Sequence, residues 1–134
     1  MLRYMLGTDT CSYLMKAASK PLDQRLAKAG VEAVCISVLT KAELLFGAVV
    51  SPRPSRDRES MEQLLAYTRV LDLPEAAAEH YAEIRADLKR KGKPIGANDL
   101  LLAAHARCLG LTLVTNNVRE FSRVPGLEVE NWAE

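Results

Sequence analysis

Four short apolar runs, Arg3 to Leu6, Ala33 to Ile36, Val70 to Leu73 and Leu111 to Val114, restrict this chain to few architectures. Each is bounded by turn or cap residues and reads as a buried strand. The stretches between them, Pro21 to Ala29, Thr40 to Val50, Arg56 to Arg69 and Glu75 to Lys91, place apolar residues at helical spacing. Ile95 to Leu109 is apolar almost throughout, broken by Asn98, Asp99, His105 and Arg107, and so predicts a central helix. Strands alternating with helices give parallel pairing through right-handed crossovers, with helices on both faces. The expected fold is therefore α/β: three layers, with a central mostly parallel sheet flanked by helices. At 134 residues and 49% hydrophobic content, one domain over residues 1–134 fills the chain and leaves little room for a second.

Several function classes are disfavoured. No run of about 18 uncharged apolar residues occurs, and the N-terminus lacks a secretory pattern, so a cytoplasmic protein with no membrane association is expected. Cys11, Cys35 and Cys108 lack the paired spacing of a zinc site and read as reduced, structural thiols. A net charge of only +1 means that any nucleic acid must be held by a local patch. Lys89, Arg90, Lys91 and Lys93 are one candidate for RNA binding, although the same cations also suit a helix C-terminus that Gly92 caps and Pro94 ends. Arg53, Arg56 and Arg58 form a second cluster, equally explicable as a solvated helix start. His80 and His105 lack a neighbouring Ser or Cys with an orienting group, which argues against a serine or cysteine hydrolase.

The acids and amides at strand-to-helix junctions each carry two readings. Asp99 falls in the first turn of the central helix, where it either complements the dipole or projects into a cleft beyond the strand ends. Thr40 and Glu43 have capping-box spacing, as do Asn117 and Glu120. Without His or Cys ligands, such a set suits a hard, oxygen-preferring cation, Mg²⁺ or Mn²⁺. A cation of that kind can position a phosphate and activate water.

Four segments, Gly7-Thr8-Asp9, Thr40-Lys41-Ala42-Glu43-Leu44, Pro94-Ile95-Gly96 with Asp99, and Thr115-Asn116-Asn117-Val118-Arg119-Glu120-Phe121, together with the closing Val124 to Trp132, carry a resemblance. The chain resembles the PIN-domain ribonucleases over nearly its whole length, most closely the VapC toxins of VapBC toxin-antitoxin systems. The resemblance implies a metal-dependent endoribonuclease that hydrolyses phosphodiester bonds in RNA, with tRNA as the expected substrate. It implies catalytic Glu43, Asp99 and Asn117, with Thr8, Thr115, Asn116 and Glu120 in support. It further implies a homodimer and a VapB-like antitoxin, with operator DNA reached only through that antitoxin.

One position departs from the pattern. Where the family's first strand ends in Asp-Thr-Asn or Asp-Thr-Asp, this chain has Gly7-Thr8-Asp9. The strand-tip metal ligand is missing, and severe impairment of hydrolysis is the expectation. Three explanations compete: a substitution made so that a toxin can be produced, which is favoured; a natural loss of function; or partial replacement by Asp9, which holds if residues 7–9 stay extended. The rival from another class is an inactive PIN-like module that binds antitoxin and regulates its operon. A structure-selective DNA nuclease is a third reading.

Overall fold

In the computed structural model, which describes residues 1–134, β1 (Tyr4–Leu6), β2 (Val34–Ser37), β3 (Arg69–Leu71) and β4 (Thr112–Val114) overlap the four predicted runs, although the helix expected to reach Arg69 ends at Leu65 and Arg69 opens β3. A fifth strand, β5 (Val129–Glu130), is too short to show any period and was not predicted. All five pair in parallel, in the order β3-β2-β1-β4-β5. The chain builds outward from β1 through β2 and β3, then crosses to the other side for β4 and β5. Strand order thus reverses between β1 and β4, and a crevice opens beyond their carboxyl ends.

Seven helices connect the strands: α1 (Thr8–Met15), α2 (Lys20–Ala29), α3 (Val38–Val50), α4 (Pro54–Leu65), α5 (Ala77–Arg90), α6 (Ala97–Leu109) and α7 (Val118–Phe121). Their ends follow local chemistry. Ser19 caps α2 by accepting from Leu22 N at 3.2 Å, with Pro21 in the first turn. Gly110 ends α6 in the left-handed conformation, at φ 68°. The helix α1 was not predicted, since Thr, Asp, Cys and Ser are modest helix formers. Tertiary contacts supply what propensity lacks: Thr10 Oγ1 donates to Val114 O at 3.0 Å, and Cys11 is fully buried.

Side chains alternate across the sheet and divide the core in two. Met5, Cys35 and Leu113 face Ile84 and Leu88 of α5 and Ala103 of α6. Tyr4, Leu6, Ile36 and Val114 face Cys11, Leu22, Leu44 and Met61, which come from α1 to α4. The result is the expected three-layer α/β arrangement. Trp132 closes the second layer, edge-on to Tyr4 with ring centroids 4.8 Å apart. No helix is long and apolar enough to cross a membrane. All three cysteines are free. Burial, reinforced by the Asp9 charge, pushes the Cys11 thiol up to about 12. Burial likewise lifts Cys35 to about 11 against the opposing pull of Arg69, so both stay protonated at neutral pH.

Candidate active site

At the tip of β1, Gly7 is buried and donates its N–H to Val114 O at 2.8 Å. Its backbone is extended, at φ −75° and ψ 168°, a conformation that any residue adopts. Glycine is therefore not required here by geometry. A Cβ placed on Gly7 would lie 3.0 Å from Asp9 Oδ1, 3.4 Å from Val114 O and 3.5 Å from Thr115 Cβ. The tightest of these contacts is to the end of a side chain, so an aspartate fits if the Asp9 carboxylate shifts by tenths of an ångström.

Because α1 begins at Thr8, the alternation that would have aimed Asp9 and residue 7 at one side does not apply. Helical curvature nonetheless brings Asp9 Oδ1 beside the missing side chain. That carboxylate is already occupied: Oδ1 accepts from Thr10 N at 2.8 Å, Oδ2 accepts from Asn116 N at 2.8 Å, and Thr115 Oγ1 sits 3.2 and 3.0 Å from the two oxygens. Asp9 thus clamps the start of α1 to the loop after β4. Thr115, itself buried, also accepts from Asn117 N at 3.1 Å.

Glu43 arrives from α3. The capping box predicted for Thr40 and Glu43 does not form, because α3 starts two residues earlier with Ser37 as its cap, accepting from Leu39 N at 3.0 Å. Thr40 is buried inside the helix, and its hydroxyl has no partner. Glu43, half-buried, is left free to face the crevice, where Thr8 Oγ1 donates to its Oε1 at 2.7 Å. This link between α1 and α3 was invisible in the sequence, since the partners lie 35 residues apart.

Asp99 enters from the first turn of α6, with Gly96 as N-cap. Gly96 N donates at 3.4 Å to Glu120 Oε1, not to Asp99. The capping role open to Asp99 is thus unfilled. Burial pushes its carboxyl up to about 6, aided first by the charge of Glu120, then by Glu43 and Asp9. Asn117, at the start of α7, caps nothing; its Nδ2 donates to Glu120 Oε2 at 2.7 Å. The ion pairs of the molecule are Arg25–Glu130, Arg58–Glu62, Lys91–Asp87 and Arg107–Glu83, so Asp9, Glu43, Asp99 and Glu120 have no cationic partner.

Asp99 with the charges of Glu120, Glu43 and Asp9 around it, and no cation paired to any of the four, suits a cation, but the set is incomplete. No group of three or more His, Cys, Asp or Glu side chains is arranged to hold a metal ion. Asp9 is spent on its clamp, Glu120 is shared between Asn117 and Gly96, and Gly7 offers no side chain. The residues present therefore do not fit a full metal centre.

Of the remaining candidates, Lys91 is paired with Asp87 at 2.8 Å, while Lys89 lines an apolar groove with Tyr81, Ile95 and Leu100. None of Lys89, Arg90, Lys91 and Lys93 forms an ion pair with Asp9, Glu43, Asp99 or Glu120. His105 is buried, with Nδ1 2.9 Å from Ser37 Oγ, and burial lowers its pKa. His80 accepts from Arg107 Nε at 2.8 Å. His105 thus does meet a serine, which the sequence did not show, but Ser37 is buried and its oxygen caps α3, and the imidazole Nε2 has no orienting partner, so the pair does not form an accessible nucleophile.

The profile of the PIN domain family matches residues 5–127. A tRNA(fMet)-specific endonuclease VapC from Salmonella typhimurium is 41% identical over 132 residues, 98% of this chain and 99% of its own length. A ribonuclease VapC2 from Haemophilus influenzae is 42% identical over 132 residues, with the same coverage of each. Among solved structures, the DNA-bound VapBC complex from Salmonella typhimurium superposes with a TM-score of 0.93 at 41% identity, over 98% of this chain and 99% of that one.

Proposed function

This chain belongs to the PIN-domain family, and on that premise we propose that it is a VapC-type toxin: an endoribonuclease scaffold for RNA, with tRNA as its substrate, whose hydrolysis is severely reduced by Gly7. The observation that carries the reading is the set of unpaired acids at the β1/β4 reversal, with one ligand position held by glycine. The cofactor of the complete site is Mg²⁺ or Mn²⁺, whose preference for oxygen matches carboxylates from Glu43, Asp99 and an aspartate at position 7. With only two of the three, no hydrolytic step is assigned to this chain.

What its own residues do is hold and orient. Thr8 fixes the Glu43 carboxylate, and Glu120 ties α7 to the start of α6 beside Asp99. Asp9 locks the β4 loop against α1. A VapB-like antitoxin fits the same electrostatics, because an arginine can occupy the acid cluster in place of a metal. Homodimer assembly, with operator DNA contacted through the antitoxin, completes the reading; a similar chain solved in a DNA-bound VapBC complex supports the antitoxin partner.

The absent third carboxylate favours one second reading, a module that binds antitoxin without cutting RNA. Cleavage of total tRNA with Mg²⁺ or Mn²⁺, by this chain and by Gly7→Asp, each free of antitoxin, separates the two. Cutting by the variant alone is the expected result; no cutting of tRNA or other RNA by either protein leaves the non-cutting module.

A further inference from the structure

Beside the acid cluster lies a second feature, a polar trough of about 660 Å³ between α1, α3 and α4. It shares Thr8 and Glu43 with the active site and runs outward past Lys16, Arg53 and Arg56. We propose that this trough seats the phosphate backbone of the RNA substrate, with Lys16, Arg53 and Arg56 as its phosphate contacts. The inference rests on the ribonuclease reading above and adds to it where the substrate lies.

Three observations carry it. First, none of these three cations belongs to an ion pair, whereas the neighbouring Arg58 is held by Glu62 at 2.9 Å. Unpaired cations on a concave wall concentrate positive potential where an anionic chain can lie. Asp57, the other acid in the trough besides Glu43, is already engaged by the Ser51 hydroxyl. Second, the trough reaches Glu43 and Thr8, which both line it, so a strand bound there delivers its next phosphodiester to Glu43. The apolar groove that holds Lys89 has no such connection in its lining.

Third, Gly47 lines the trough in mid-α3, and a Cβ placed on it would meet nothing within 4 Å. Neither packing nor a positive φ asks for glycine at this point. A glycine inside a helix costs about 0.5–1 kcal/mol relative to alanine. An open path for a ligand accounts for that cost; a purely structural role does not.

The test is binding of unfractionated tRNA, fluorescently labelled at its 3′ end, to the antitoxin-free chain in EDTA across a series of KCl concentrations. Arg53→Gln with Arg56→Gln is expected to weaken binding at least tenfold at low salt. It should also reduce the slope of log K against log salt by about 1.4–1.8, some 0.7–0.9 per lost phosphate contact. Gly47→Gln, which fills the trough and leaves every charge in place, is expected to weaken binding several-fold without lowering Tm.

Unchanged affinity in the arginine pair overturns the proposal. So does an equal or larger loss in Lys89→Gln with Lys93→Gln, or loss of antitoxin capture with tRNA binding intact. Should Gly47→Gln fail to fold, the exposed arginine pair decides alone. The ribonuclease reading fails separately: if Gly7→Asp does not cut tRNA while the trough variants still lose affinity, binding stands and cleavage falls.

Discussion

Asp99 sits half-buried with no cation beside it, and desolvation together with the charges of Glu120, Glu43 and Asp9 lifts its carboxyl to about 6. Its folded value lies above the ordinary one, so between about pH 4 and pH 6 the native state binds more protons than the unfolded state. Stability from this group is present at the acid end and lost as pH rises through that window. Asp99→Asn is therefore expected to raise the stability of the metal-free protein at pH 7–8, by about 1 kcal/mol at most after solvent screening, and to flatten its pH dependence there. Urea titrations at pH 5 and pH 8 check this; an equal effect at both would contradict it. At Asp9 a substitution should instead destabilise the fold. Its carboxylate satisfies two backbone N–H groups and a buried hydroxyl, so Asp9→Ala is expected to cost about 2–3 kcal/mol by urea denaturation.

At the scale of elements, the start of α3 matters most, because it sets where Glu43 points. Ser37 Oγ accepts from Leu39 N and lies 2.9 Å from buried His105 Nδ1 on α6, the helix that carries Asp99. Ser37→Ala removes the cap and strands an imidazole nitrogen; a loss of about 2 kcal/mol in urea unfolding is expected. A cost below about 0.5 kcal/mol would mean the contact holds nothing. The same junction shows what the sequence could and could not disclose. Strands β1, β2, β3 and β4 and helices α2 to α6 were legible because apolar runs and helical spacing report burial directly. The start of α3 was not, since Ser37 and Thr40 are both good caps and only tertiary packing, which buries Thr40, selects between them. Helix α1 was missed because long-range contacts such as Thr10 to Val114 sustain it, and β5 because two residues have no period.

Across the whole molecule, strand order gathers chemistry that lies far apart in the chain. The β1/β4 reversal brings Gly7, Asp9 and Thr115 together, while α3 and α6 deliver Glu43 and Asp99 to the same edge. The motif residues were readable in sequence. Their division of labour was not, because whether Asp9 clamps or ligates depends on donors more than 100 residues away. Acids without cationic partners beside a glycine at the tip of β1 are what the proposed function explains by the lack of one carboxylate ligand. The most direct measurement is calorimetric titration of Mn²⁺ into this chain and into Gly7→Asp at pH 7.5, both free of antitoxin. Completion of the ligand set predicts binding at least 10–100-fold tighter in the variant, on the order of 1.4–2.8 kcal/mol. Equal affinity in the two proteins would contradict the claim.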